Sequence, residues 1–252
     1  MIESDKLTEN PTVVTTKETG RLLLVGGTKG YRSSNKVYQV DECMNTLNKH
    51  SKLNIGRVGH AAVYIRNKDI YVIGGYNADT NEWLKSVEVC QDAFYNVGIK
   101  DPSQHKQITW EKGAEMQEAR YFFGCCAFKD ESIYVFGGMN QTILQQSLQH
   151  GESKCLNSIE RYIIDEQRWV TIELKTYQKF PYCSHITAVH VPWDKDNILI
   201  VGGQTFNKKT HKFENMGMVY KFDVSDEKLK ACKNLVTEDR FLMGMGITDV
   251  SK

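Results

Sequence analysis

Four pairs of adjacent glycines, each directly after a strand-like apolar run, constrain this chain more than any other feature of its sequence. The runs are LLLVGG, IYVIGG, IYVFGG and ILIVGG, and the pairs are Gly26 and Gly27, Gly74 and Gly75, Gly137 and Gly138, and Gly202 and Gly203. The first glycines stand 48, 63 and 65 residues apart (26 to 74, 74 to 137, 137 to 202). Periods of this size are typical of arrays built from one repeated unit.

Each glycine pair closes a predicted β-hairpin. The sixteen residues that end at the first three pairs align without gaps, and each segment has a polar turn between two apolar runs. The fourth segment carries three additional residues in that turn, which places His60 and His185 at equivalent positions. A third strand then follows each pair (KVYQVD, SVEVCQD, SIERYIIDEQRW and MVYKFD), and a fourth is clearest in ITWEKGAEM and WVTIEL.

The alternation and the turn signals predict an all-β fold with four strands per repeat and no helix of useful length. A phosphate-binding loop is the other interpretation of glycines after a strand, but it requires a GxGxxG or GxxxxGK[ST] pattern leading into a helix. None of the four pairs has that context. The glycines are therefore interpreted as architectural, because a residue without a Cβ lets neighbouring chain approach closely.

Further residues recur at fixed places in the repeat. Arg57 and Arg120 each precede the first glycine of their pair by 17 residues, and Arg240 opens a further match, RFLMGMGITDVSK. With Tyr162, Trp110 and Trp169, this pattern resembles the kelch repeat, most closely in the second and third units. The resemblance implies a β-propeller of four-stranded blades, in which the glycines, the tyrosine and the tryptophans serve packing.

The repeats divide the chain into an N-terminal tail, residues 1–11, and a propeller, residues 12–252. The predicted blades are 12–56, 57–118, 119–179 and 180–239, and residues 240–252 form the first strand of a fifth, so the ring is incomplete or atypical. Propellers generally have about four to eight blades. An open arc has exposed sheet edges, and we expect it to self-associate through them. The alternatives are a longer product or closure of the ring by the last strand.

Composition excludes several partner classes. The 252 residues carry 32 basic and 31 acidic side chains, for a formal net charge of +1, so we expect neither nucleic acid nor a membrane as partner. The N-terminus has no signal-peptide pattern and the cysteine count is odd, at seven, which favours reduced thiols and a cytoplasmic location. No metal site and no cofactor are predicted.

The candidate binding site lies on the face that carries the longer loops. We predict that Arg57, Arg120 and Arg240 ring the mouth of the central channel beside four loop residues, Tyr76, Asn77, Trp83 and Asn140. The resemblance implies that arginines at such places bind acidic peptides, which suits the bidentate guanidinium. The alternative for each arginine is a structural bond to a carboxylate or carbonyl of the adjoining blade. Trp83 is either a contact residue or a cap on a blade edge.

The predicted function is that of a non-enzymatic interaction module, a scaffold or adaptor that binds a protein segment. No catalytic residue is predicted, because the chain carries no Ser-His-Asp signature, HExxH or CxxC motif. The alternative is a propeller enzyme, since the resemblance also extends to a copper oxidase and to sugar-processing members.

Overall fold

A computed structural model describes residues 8–15, 21–41, 46–94, 96, 101–140, 155–191, 194–207, 209–217 and 219–232. Strands make up nearly all of its regular secondary structure; the described part also has one short 3-10 turn at Pro102–Gln104. The predicted partial fifth unit, residues 240–252, lies outside the described residues, as does Arg240.

Twenty-two strands are described, all of them two to seven residues long. In chain order they are β1 (Thr12–Thr15), β2 (Leu22–Val25), β3 (Thr28–Lys29), β4 (Arg32–Ser33), β5 (Lys36–Asp41), β6 (Thr46–Lys52), β7 (Ala61–Ile65), β8 (Asp69–Ile73), β9 (Tyr76–Asn77), β10 (Glu82–Trp83), β11 (Val87–Cys90), β12 (Glu111–Lys112), β13 (Gly124–Phe128), β14 (Ser132–Phe136), β15 (Ile159–Ile163), β16 (Arg168–Thr171), β17 (Thr187–His190), β18 (Asn197–Val201), β19 (Gln204–Asn207), β20 (Lys212–Asn215), β21 (Val219–Asp223) and β22 (Lys228–Cys232).

Sixteen of these strands form four four-stranded antiparallel sheets, which we number one to four as blades. The orders are β1-β2-β5-β6, β12-β11-β8-β7, β13-β14-β15-β16 and β17-β18-β21-β22. The first strands of successive sheets lie side by side, β1 against β7, β7 against β13 and β13 against β17. The sheets therefore radiate from an axis lined by their first strands, and the predicted all-β propeller of four-stranded blades is confirmed.

The glycine pairs join each blade to the next. All eight glycines have positive φ, for example 57° at Gly137 and 97° at Gly138. The second glycine of a pair donates its N–H to a carbonyl of the next blade: Gly27 to Arg57 at 3.0 Å, Gly75 to Arg120 at 2.7 Å and Gly138 to Cys183 at 2.8 Å. A Cβ on Gly137 would lie 2.5 Å from the Cys183 carbonyl oxygen, so a side chain there has no room.

The hydrophobic core lies between blades. Each of three apolar clusters combines residues of two neighbouring blades. The two repeat tryptophans seal two of these interfaces: Trp110 donates its indole N–H to Ser51 Oγ at 3.0 Å, and Trp169 donates to the Ala114 carbonyl at 2.9 Å. Each bond crosses from one blade to the preceding one, so the tryptophans contribute both buried area and a satisfied polar group.

Three small hairpins project from the glycine-pair end of the blades, where the sequence predicted only polar stretches. They are β3-β4 in blade one, β9-β10 in blade two and β19-β20 in blade four. The structure also extends the first repeat into the predicted tail, because Glu9 pairs with Thr28 just as Val58 pairs with Tyr76. Residues 8–11 therefore belong to the first blade.

Candidate functional site

Arg57 is completely buried and bound within its own blade. Its guanidinium donates to the carbonyls of Gly74 (2.9 Å) and Ser86 (3.1 Å) and to a carboxylate oxygen of Glu88 (2.7 Å). The Glu88 carboxylate also accepts the N–H groups of Asn54 at 2.6 Å and Ile55 at 3.1 Å. This arginine and glutamate thus anchor the linker that arrives from blade one. Burial lowers the pKa of Arg57, and the charge of Glu88 opposes that shift.

Arg120 repeats the arrangement in the third blade. Its guanidinium donates to the Gly137 carbonyl at 2.6 Å and to Glu160 at 2.8 Å. Glu160 in turn accepts the N–H groups of Gln117 at 2.7 Å and Glu118 at 3.2 Å, in the linker from blade two. Neither arginine nor glutamate has appreciable exposed surface.

The prediction that Arg57 and Arg120 bind a partner at the channel mouth is therefore wrong. Both side chains run inward beneath the glycine pair. The left-handed turn leaves the carbonyls of Gly74 and Gly137 without a main-chain donor among the described residues, and the guanidinium groups donate to them. They have 0% exposed surface and cannot reach a ligand. The structural alternative describes them, with one difference: the buried carboxylates, Glu88 and Glu160, belong to the arginine's own blade, and only Arg120 also contacts a carboxylate of the preceding blade, Glu118, at 3.2 Å.

In the first and fourth repeats, uncharged residues stand in place of this arginine and glutamate. The position of Arg57 is occupied in blade one by Thr8, whose hydroxyl donates to the Gly26 carbonyl at 2.7 Å. In blade four it is occupied by Cys183, and Tyr220 stands at the strand position of Glu88. Cys183 and Tyr220 are both buried, and burial raises the pKa of each. The described residues of these two repeats include no buried arginine, lysine, aspartate or glutamate.

The histidines are not equivalent, contrary to the sequence alignment. His60 packs against Gly75 as Phe123 packs against Gly138, whereas His185 stands one residue earlier. His185 corresponds instead to Gly59 and Phe122, and all three have left-handed backbone (φ 54°, 60° and 51°). Main-chain bonds link them in sequence around the axis, from Phe122 N–H to Gly59 O at 2.9 Å and from His185 N–H to Phe122 O at 2.7 Å.

Five aromatic side chains form a continuous surface from hairpin β9-β10 to the axis. We call them the aromatic row: Trp83, Tyr76, Tyr121, Phe122 and His185. Trp83 lies 5.6 Å from Tyr76 and 5.5 Å from Tyr121, centroid to centroid. Phe122 lies 4.0 Å from both Tyr121 and His185. All five are partly exposed.

Gly59 makes the row possible. A Cβ on this residue would overlap the Tyr121 ring, so the missing side chain leaves the space in which Tyr121 lies. Phe122 holds a positive φ of 51°, which is unusual for a bulky residue and costs energy that the surrounding contacts must supply. Strained backbone of this kind is concentrated at functional sites.

The row ends at a cavity of about 500 Å³. Residues from all four blades line it, among them Asn10, Gly59, Phe122 and His185. The wall is mostly apolar, and the aromatic row forms one side of its rim.

The structure brings together only some of the predicted site residues. Tyr76 and Trp83 belong to the aromatic row. Asn77 and Asn140 are both 8% exposed, and the Asn77 side chain accepts the N–H of Asp79 at 3.0 Å within the hairpin turn. Sequence reasoning missed Tyr121, Phe122 and His185. The run of three aromatic residues directly after Arg120, residues 121–123, was a usable signal for the first two.

Other site chemistries have little support in the part of the chain that the structure describes. It contains no cluster of three or more metal-ligating side chains. Its six cysteines, Cys90, Cys125, Cys126, Cys155, Cys183 and Cys232, are free thiols. None of its helical residues form a segment of sufficient length and hydrophobicity to span a membrane.

Comparison with known proteins agrees with this geometry. Residues 11–238 match the KLHDC2/KLHL20/DRC7 Kelch-repeats domain. A Kelch repeat-containing protein of Dictyostelium discoideum is 24% identical over 71% of this chain and 22% of its own length. Two F-box/kelch-repeat proteins of Arabidopsis thaliana are 26% and 29% identical over 64% and 41% of this chain. The chain spans 42% and 20% of their lengths, so it covers less than half of each relative. The chain belongs to the kelch-repeat family.

Proposed function

We propose that this protein is a non-enzymatic binding module, a scaffold or adaptor, that holds a protein segment along the aromatic row. Its kelch-repeat relatives support a general protein-binding role, because kelch repeats commonly serve as interaction modules. The observation that carries the finer proposal is the contact of five partly exposed rings, from Trp83 to His185, at the rim of a cavity.

The chemistry of the row suits protein recognition. Tryptophan and tyrosine are over-represented among the residues that dominate binding energy, because they bury large area with few rotatable bonds. Trp83 and Tyr121 meet at an interplanar angle of 83°, an edge-to-face contact that fixes the two rings relative to each other. The rigid blades below hold the row in place, as scaffolds commonly hold binding loops.

The experiment compares captured partners. Wild-type protein, a Trp83→Leu/Tyr121→Leu variant and a Tyr177→Leu control are immobilised, and the proteins retained from a lysate are quantified by mass spectrometry. Tyr177 is fully exposed and lies outside the row, so its substitution tests for loss of any surface aromatic. We expect partners shared by wild type and control to be lost from the double variant. Equal partner lists from all three proteins would contradict the proposal.

Self-association through open sheet edges stays a prediction. In its favour, Val13 in the innermost strand of blade one is 51% exposed, whereas its equivalents Ala62, Cys125 and Ala188 pack against the preceding blade. We propose that a second molecule covers Val13. Sedimentation across a concentration series should show Val13→Asp to be more monomeric than wild type; identical behaviour would argue against it.

A further inference from the structure

We propose that the segment held by the aromatic row is uncharged and proline-rich, and that its main-chain carbonyls accept hydrogen bonds from the Trp83 indole N–H and the Tyr121 hydroxyl. This inference rests on the proposed function and names the chemistry of its partner. The acidic partner expected from the sequence depended on Arg57 and Arg120, and both of these are buried.

Three rings form the outer part of the row. The register of hairpin β9-β10 places Trp83 directly across from Tyr76, so both side chains stand on the same face of the hairpin. Tyr121, from the next blade, contacts both rings, at centroid distances of 5.5 Å to Trp83 and 6.0 Å to Tyr76. The hairpin and the neighbouring blade therefore present one aromatic platform rather than separate exposed residues.

Two polar tips of this platform are open. The Tyr76 hydroxyl donates to the Asn81 side chain within the hairpin. In the part of the chain that the structure describes, the Trp83 indole N–H and the Tyr121 hydroxyl have no hydrogen-bond partner, and neither atom is sealed from solvent. Burial raises the pKa of Tyr121, so its hydroxyl stays protonated at neutral pH. A ligand on the platform therefore meets two donors, of which the indole can only donate.

The two acidic residues of the hairpin do not make the platform an acidic site. Glu82 precedes Trp83 in strand β10, and successive side chains of a strand point to opposite faces. Glu82 therefore lies on the face away from the rings. The Asp79 carboxylate accepts the main-chain N–H of Ser33, in the hairpin of blade one, at 3.2 Å.

Exposed basic residues stand beside the same hairpin. The side chains of Arg32 and Lys85 are 86% and 53% exposed. At the inner end of the row, burial lowers the pKa of His185, so its imidazole is uncharged at neutral pH. Because charges of both signs surround the platform, charge favours neither an acidic nor a basic segment. The rings and their two donors decide which segment binds.

Open donors suit a chain whose carbonyls are free. In an α-helix the carbonyls are bonded within the helix, whereas a polyproline II segment has no internal hydrogen bonds. Proline also supplies a carbonyl without an N–H, so a proline-rich segment offers acceptors and few competing donors. Its conformation is set before binding, so little entropy is lost, and aromatic-lined surfaces are a recurring site for such segments.

The test is selection from a displayed library of random linear peptides on the full chain, after depletion on the Trp83→Leu/Tyr121→Leu variant. We expect the retained peptides to be enriched in proline, with neither acidic nor basic residues enriched. Replacing the prolines of a retained peptide with alanine should lower its affinity about fivefold or more, because the free peptide then loses its preformed conformation.

Tyr121→Phe tests the hydrogen bond, because it removes the hydroxyl and keeps the ring. The affinity of a retained peptide should fall about fivefold. Tyr177→Phe removes a hydroxyl from a fully exposed tyrosine outside the row, so it is the matched control and should leave the affinity unchanged. In nuclear magnetic resonance spectra, the indole N–H signal of Trp83, assigned with Trp83→Phe, should shift downfield when the peptide is added.

The outcomes separate the two proposals. Retained peptides that lack proline, that are enriched in charged residues of either sign, or that bind Tyr121→Phe as tightly as wild type would overturn the proline-rich partner and leave the row as a binding site. An unmoved Trp83 indole signal would overturn it as well. If no peptide is retained after the depletion, the aromatic row itself is not the site.

Discussion

The guanidinium of Arg57 lies 2.7 Å from the carboxylate of Glu88, and neither side chain has more than 4% exposed surface. The pair holds the linker between two blades, and the same pair recurs as Arg120 and Glu160. Blade four carries neither charge and has Cys183 and Tyr220 at the two positions. A buried charge without its partner is costly, which explains why the two positions change together.

The first prediction concerns that coupling. Arg57→Leu should lower the free energy of unfolding by about 3–5 kcal/mol, because it leaves Glu88 buried without its partner. The double change Arg57→Cys/Glu88→Tyr, which copies blade four, should cost less than the two single changes together. Urea denaturation measures both. Arg168→Leu, at an exposed ion pair with Glu166, is the control and should change stability by less than about 1 kcal/mol. Additive single effects would contradict the coupling.

The second prediction concerns acid sensitivity at His60. Burial, helped by the charge of Arg57, lowers the pKa of His60 to about 3. In the unfolded chain this pKa is about 6.5, so between the two values only the unfolded state takes up the proton. The contribution of His60 to stability is therefore retained above about pH 6.5 and falls as the pH is lowered toward 3, by about 2 kcal/mol at pH 5.

His60→Ile copies the residue at the equivalent position in blade four, Ile186, and removes this titration. Urea midpoints at about pH 7.5 and about pH 5 should therefore lie closer together for the variant than for wild type. The exposed His211→Gln is the control and should keep the wild-type difference. An unchanged difference in His60→Ile would show that His60 does not titrate in this way.

The third prediction separates two reasons for glycine in the pairs: the left-handed backbone and the close approach of the next blade. Gly137 and Gly30 have similar φ, 57° and 60°, but only at Gly137 would a Cβ meet the next blade. Gly30→Ala should cost about 1 kcal/mol for the left-handed backbone alone. Gly137→Ala should cost about 2 kcal/mol more, since the blades must move apart. Equal losses in thermal or urea denaturation would mean that close approach to Cys183 is unimportant.

The fourth prediction distinguishes the tryptophans. Trp169→Leu copies the residue at its position in blade four, Leu229, and loses both buried area and the indole bond to Ala114. It should lower the free energy of unfolding by about 2 kcal/mol or more. Trp83→Leu should change it by less than about 1 kcal/mol, because Trp83 is partly exposed. A larger loss for Trp83→Leu would assign that residue to packing and weaken its place in the binding site.

The fifth prediction concerns Gly59. Gly59→Ala should displace the Tyr121 ring, because the added Cβ occupies its place. Partner-peptide affinity should fall about tenfold, as for loss of one aromatic contact. Near-ultraviolet circular dichroism should report the changed ring environment. Gly30 has the same positive φ as Gly59 but free space around it, so Gly30→Ala should leave both measurements unchanged. Unaltered affinity in Gly59→Ala would exclude Tyr121 from the site.

The fold could be predicted in some detail. The period of the glycine pairs and the alternation of each strand predicted four strands per repeat, because these features act locally or repeat between neighbours. The kelch resemblance, carried in part by Trp110 and Trp169, implied that each repeat is a propeller blade. The hairpins β3-β4, β9-β10 and β19-β20 were missed. Each consists of strands of two to four mostly polar residues, so no alternating apolar pattern marks it.

The candidate site was predicted only in part. Tyr76 and Trp83 were identified because no position of the repeat accounts for them. The sequence predicted that Arg57 and Arg120 are exposed, because a charged residue at a turn usually is. The sequence does not show whether a carboxylate in the interior of the blade lies close enough to pair with such a residue. The sequence aligned His185 with His60, one residue away from its structural equivalent, Gly59. The position of the inserted residues within its hairpin cannot be located from the sequence.

The sequence by itself determined the blade, because glycine pairs, alternating strands and aromatic packing residues encode contacts that are the same in every repeat. Only the tertiary structure decided which side chains face solvent. The directions of the Arg57 and Tyr121 side chains depend on how adjacent blades meet. Arg57 points into the interior because it binds the carboxylate of Glu88 there. Tyr121 lies at the surface because Gly59 has no side chain and leaves space for its ring.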